Sequence, residues 1–109
     1  PTAEKTTSVP SQAPNPTQAL VHPIAENDGN SVPDGGGCLA SFGYLNDNPQ
    51  PVDIPIGSRN YLNAGLPAPL VTHFVVGRMN NVFQVTWTTP DDLVWTVNGE
   101  TATVKWCNP

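Results

Sequence analysis

The two cysteines, Cys38 and Cys107, bracket the one stretch of the chain in which strand signals follow one another, and joining them is the strongest constraint on its fold. A loop of that length, once closed, removes unfolded-state entropy worth about 4 kcal/mol in the chain-entropy view. A core of about 70 residues is marginal alone, so the staple decides whether it folds. A disulfide also implies an oxidising compartment. Zinc is a poor alternative, because two lone cysteines without CxxC spacing, with only His22 and His73, make no convincing site. Two free buried thiols are the remaining alternative.

Between the cysteines, apolar and polar residues alternate in short runs separated by turn residues. Cys38, Ala40, Phe42 and Tyr44 share one face of a first strand, which ends at the turn Asn46-Asp47-Asn48-Pro49. Val52, Ile54 and Ile56 alternate with Asp53 and Pro55, which indicates an edge strand. Residues 59–63 form a short run and 70–76 a longer one, and 77–81 read as a turn. Phe83, Val85 and Trp87 point inward from 82–88, and Pro90-Asp91-Asp92 turns the chain again. Asn98-Gly99 is the preferred pair for a two-residue type I′ turn. It sets Val97 opposite Glu100, Trp95 opposite Ala102 and Leu93 opposite Val104. In that register Leu93, Trp95, Val97, Ala102, Val104 and Trp106 share an apolar face, while Val94, Thr96, Thr101, Thr103 and Lys105 take the other. Cys107 then falls by parity on the Lys105 side, so either the strand ends at Trp106 or the disulfide lies at the rim. No sustained helical period occurs. The expected fold is all-β, a small immunoglobulin-like (Greek-key) sandwich of six to eight strands over residues 38–109, with a small barrel as the alternative.

Residues 1–37 read as an N-terminal arm. Positions 1–18 are dominated by Pro, Thr, Ser, Gln and Ala and bury too little apolar surface to offset their ordering entropy. Thr and Ser beside Pro permit O-glycosylation, whereas no permitted N-glycosylation sequon occurs. Residues 19–25 (Ala19, Leu20, Val21, His22, Pro23, Ile24 and Ala25) interrupt this polarity with a strand-sized apolar piece. An Asp-, Asn- and Gly-rich loop ending in the hinge Gly35-Gly36-Gly37 follows. The apolar piece either folds back as a first strand or completes a neighbour's sheet by strand addition, and head-to-tail donation would build a homo-oligomer or filament.

Composition excludes several classes of function. With a net charge of -5 and only Lys5, Arg59, Arg78 and Lys105 as cations, no phosphate-binding surface is available for nucleic acid. No apolar run is long enough to span a membrane. A start at Pro-Thr-Ala-Glu reads as a cleaved N-terminus, although a recombinant one looks the same. His22 lies in the arm beside Pro23 and His73 reads as an ordinary strand residue, so no catalytic residues and no enzyme activity are expected. No cofactor is expected either. Calcium is the one ion worth weighing, through Glu26, Asp28, Asn30 and Asp34 or through Asn46, Asp47, Asn48 and Asp53, but the EF-hand spacing is missing and such loops form turns without metal. The tryptophans fall on core faces, which leaves Tyr61, placed in a loop, as the candidate for stacking a glycan.

Residues 38–65, 72–87 and 92–107 resemble a functionally uncharacterised family of secreted bacterial β-sandwich modules. The shared features are a Cys-bounded FGY-N-N opening, IPIG-x-x-N, a GR turn and an LVW-x-x-x-G-TA close. The family's usual Pro-Gly and Asp-Arg-Gly-Gln loop is here replaced by Asn63-Ala64-Gly65-Leu66-Pro67-Ala68, so nothing is carried over from it. The resemblance implies an extracellular, cell-surface location in bacteria and supplies no catalytic residue. The expected role is a secreted structural subunit that assembles through its arm, with a monomeric glycan- or ligand-binding module on a stalk as the alternative.

Overall fold

The computed structural model describes residues 20–64 and 69–109. Among these the chain is all-β, with nine strands: β1 (Val21–Ala25), β2 (Val32–Asp34), β3 (Gly37–Asn46), β4 (Val52–Asp53), β5 (Asn60–Leu62), β6 (His73–Phe74), β7 (Gly77–Trp87), β8 (Leu93–Val97) and β9 (Glu100–Val104). Two antiparallel layers form a small sandwich. In one, β3 lies between β7 on one side and β1 and β2 on the other; in the second the order is β5-β8-β9. A two-stranded β4-β6 pair completes the set.

The first layer follows from the alternation in β3. Cys38, Ala40, Phe42 and Tyr44 are buried, as are Phe83, Val85 and Trp87 of β7. Phe42 pairs with Phe83 and Cys38 with Trp87. The second layer follows from the Asn98-Gly99 turn, whose φ values of 48° and 83° are the left-handed pair that a type I′ hairpin needs. Its register is Val97 to Glu100, Trp95 to Ala102 and Leu93 to Val104, as the parity of the two strands requires. The layers meet through aromatic rings: Trp95 stands edge-on to Phe83 at 4.9 Å and to Phe42 at 5.7 Å. Burial of these side chains is the main stabilising term.

Three expectations are corrected. Residues 77–81 do not form a turn, because β7 runs straight through them; the surplus residues between Met79 and Phe83 bulge opposite Gly43, with Asn81 at φ 50°. The run 70–76 shortens to His73–Phe74. Ile56 leaves the alternation of Val52 and Ile54 and is 61% exposed. This middle region is held instead by buried asparagines. Asn60 Nδ2 donates to Ile54 O at 3.0 Å and Val71 O at 2.8 Å, and its Oδ1 accepts the Trp95 indole N–H at 2.8 Å. Asn46 Nδ2 donates to Phe74 O at 2.9 Å and Gln50 O at 3.1 Å. Side-chain bonds replace the missing ladder, which is how a buried irregular segment keeps its polar groups paired.

Candidate functional site

The arm segment was the leading candidate for contact with a partner. Ala19 lies outside the described residues, and Leu20 is exposed. Val21, His22, Pro23, Ile24 and Ala25 sit in cis on β3, from Val21 opposite Asn46 to Ala25 opposite Phe42. Pro23 is tolerated because β1 is an edge strand of its layer. Residues 21–25 and 32–34 therefore belong to the sandwich.

β1 is fixed at both of its ends. At its start, Asp47 N donates to Leu20 O at 3.0 Å. At its close, Glu26 N donates to Ser41 O at 3.0 Å. The Glu26 side chain then crosses the outer face of β3 to reach β7. Arg78 Nη2 donates to Glu26 Oε1 at 2.8 Å, and Asn81 N donates to Glu26 Oε2 at 2.8 Å. The Glu26 side chain is only 13% exposed. Gly43 makes the crossing possible, since a Cβ there would collide with the Glu26 carboxylate, the Arg78 guanidinium and Met79 O. Burial alone would push the Glu26 carboxyl up; the hydrogen bonds from Arg78 and Asn81, together with the Arg78 charge, outweigh it and hold the group below its ordinary range. A second tie runs to the other layer, where His22 Nδ1 lies 2.8 Å from Glu100 Oε1.

The opposite end of the sandwich is closed by Cys38–Cys107, with Cα atoms 5.8 Å apart. β9 ends at Val104, and Lys105 N donates to Gly29 O at 2.9 Å, tying the end of β9 to the β1-β2 edge. The chain then leaves strand geometry, which removes the parity conflict at Cys107: its N–H is directed at Cys38 Sγ at 2.9 Å. Trp106 stands edge-on to Trp87 at 5.8 Å over this junction.

The remaining candidates are dispersed. Tyr61 is on strand β5, not in a loop, and is 43% exposed beside Thr96 on the outer face of its layer. His73 pairs with Asp53 at 2.7 Å on the outer face of the β4-β6 pair, far in sequence from His22. Among the described residues no group of three or more His, Cys, Asp or Glu side chains converges as a metal site, and Glu26 is taken up by Arg78 and Asn81. A cleft of about 260 Å³ is lined by Asn63, Ala64, Trp87, Thr89, Asp91 and Asp92. The Trp87 ring at its base is 2% exposed and its indole N–H donates to Asp91 O at 2.9 Å, so it offers little stacking surface. Sequence patterns do not point to the Glu26–Arg78–Asn81 cluster, because Glu26 lies more than fifty positions from both of its partners; Gly43 within a strand was the one signal. No family model, characterised protein or solved structure matches the chain.

Proposed function

We propose that the chain is an extracellular structural subunit, joined to a second copy of itself through the segment that precedes β1, and not an enzyme. The observation that carries this reading is where the chain comes in and goes out. Leu20 is beside Asp47, just past the Asn46 end of β3, whereas Cys107 and the C-terminal residues are beside Cys38 at the other end. At about 3.3 Å per residue the ten-residue strand between them spans roughly 33 Å. Attachment points at opposite ends suit a unit linked in series. The disulfide fits an oxidising, extracellular setting, and the family resemblance points to a bacterial surface. A non-catalytic role is supported by the two histidines, each engaged by a carboxylate on a different part of the surface.

Since Val21–Ala25 occupy their own sheet, contact with a neighbour falls to residues 1–19, and the outer side of β7 is the edge to which a strand would add. Light scattering over a concentration series tests this. The full chain should form species larger than a monomer, and removal of residues 1–19, which leaves β1 intact, should return it to a monomer. A full chain that stays monomeric throughout, or assembly unaffected by the deletion, contradicts the proposal.

The second reading, a monomeric glycan- or ligand-binding module, is favoured by the cleft beside Trp87 and by exposed Tyr61. At about 260 Å³ the cleft is below the usual ~300–1,000 Å³ of ligand pockets. Binding to a glycan array that is lost in Asp91→Ala or Tyr61→Ala would favour it.

A further inference from the structure

Tension applied to the two ends of this chain would bypass most of the fold. It comes in at Leu20, follows residues 21–37, crosses the Cys38–Cys107 bond and leaves through Asn108 and Pro109. Residues 39–106 lie inside a closed covalent loop and off that path. The load therefore falls on the seating of β1 against β3.

The direction of that load matters. β1 and β3 are antiparallel, with Val21 opposite Asn46 and Ala25 opposite Phe42. The start of β1 is thus at the Asn46 end of the layer, and the start of β3 is at the Cys38 end. Outward tension draws β1 from its start and β3 from its start, in opposite directions along the strands. All the ladder hydrogen bonds are then strained together, in shear, instead of opening one after another. Two side chains reinforce the ladder. Glu26 at the far end of β1 is gripped across Gly43 by Arg78 and Asn81 on β7, and His22 is tied to Glu100 on the facing layer.

We propose that the domain is a load-bearing link: β1, pinned by Glu26 and His22, is its mechanical clutch, and the Cys38–Cys107 bond shields the core from the load. The role rests on the structural-subunit reading, because only a unit attached at both ends is pulled in this way. The partner it implies is a neighbour joined firmly at either end, such as a second copy of this chain. If the clutch slips, the disulfide limits the damage. Freeing residues 21–37 adds at most about 60 Å of chain, taking about 3.3–3.6 Å per residue. Without the bond, the same pull would unravel the whole domain and free about 300 Å of chain.

Single-molecule force spectroscopy on the full chain tests the proposal. One set of molecules is held at the two termini; the other is held at the N-terminus and at a click handle replacing Asp47. Because Asp47 N donates to Leu20 O, the second geometry peels β1 from its first bond. The terminal geometry should rupture at a force at least about twofold higher at equal loading rate, because its bonds are strained in parallel. Less the roughly 33 Å that the two ends already span, it should gain about 30 Å when oxidised and about 270 Å after reductant is added to the folded, tethered molecule. Glu26→Ala should lower the terminal rupture force. Equal or lower force in the terminal geometry, or a gain of about 270 Å while the bond is intact, overturns the proposal. A full chain that stays monomeric in light scattering removes the subunit reading and leaves the shear ladder standing; equal rupture forces do the reverse.

Discussion

The carboxylate of Glu26 meets the guanidinium of Arg78 at 2.8 Å across β3, through the gap left by the missing side chain of Gly43. The contact joins the end of β1 to β7 over a strand that pairs with both. Gly43→Ala should therefore separate the pair and destabilise the domain by about 2 kcal/mol or more, as overfilling a close contact does. Urea denaturation of the variant checks this. An unchanged midpoint would mean that the contact contributes nothing.

Removing only the charge gives a second test. Glu26→Gln keeps one acceptor for the Asn81 N–H and loses the ion pair, at a cost of about 1–2 kcal/mol near neutral pH. The effect of acid follows from the lowered carboxyl pKa. The unfolded chain takes up the proton at the ordinary value of 4.5, and the folded chain does so only at lower pH. Stabilisation by Glu26 is thus complete above 4.5 and is lost as pH falls through the folded value. The native chain should lose more stability than Glu26→Gln between about pH 5 and 3, and the two curves should converge in acid. Parallel curves would contradict this.

Opening the staple should cost about 4 kcal/mol, because Cys38 and Cys107 close a separation of 69 residues. Cys107→Ser with Cys38→Ser, or the native chain in reductant, should denature at a correspondingly lower urea concentration. A shift of less than about 1 kcal/mol would mean that the core is self-sufficient.

Asn60 is fully buried and pairs with three groups at once: Ile54 O, Val71 O and the Trp95 N–H. Asn60→Ala should cost about 3 kcal/mol or more, since buried groups lose their partners and a cavity opens. Tyr61→Ala, one residue away on the exposed face, should fall within about 0.5 kcal/mol of the native chain. Thermal melts of the two variants separate the roles of neighbouring residues on β5.

What could be read from the sequence was what short-range rules decide. The Asn98-Gly99 turn and the parity of its flanking residues determine the β8-β9 register without reference to anything else. The inward face of β3 follows in the same way from simple alternation. Long-range choices were hidden. Gly77 and the asparagines at 80 and 81 look like a turn, yet they are drawn into β7 by pairing of Arg78 and Met79 with Leu45 and Tyr44. Among the described residues, the segment from Asn46 to Phe74 has only short strands and is held by the side chains of Asn46 and Asn60, whose partners lie up to 35 positions away. Nothing in residues 19–25 distinguishes a strand for its own sheet from one for a neighbour's. That choice rests on Asn46, Phe42 and Glu100 being within reach once the chain has folded.

The seating of β1 in cis is the claim on which the load path and the division of the chain both depend. Hydrogen–deuterium exchange of the peptide covering Val21–Ala25, followed across a dilution series, tests it directly. Strong protection that stays the same down to concentrations where the chain is monomeric is the expected result. Protection that disappears on dilution would mean that β1 belongs to a neighbouring molecule, and the account would fail.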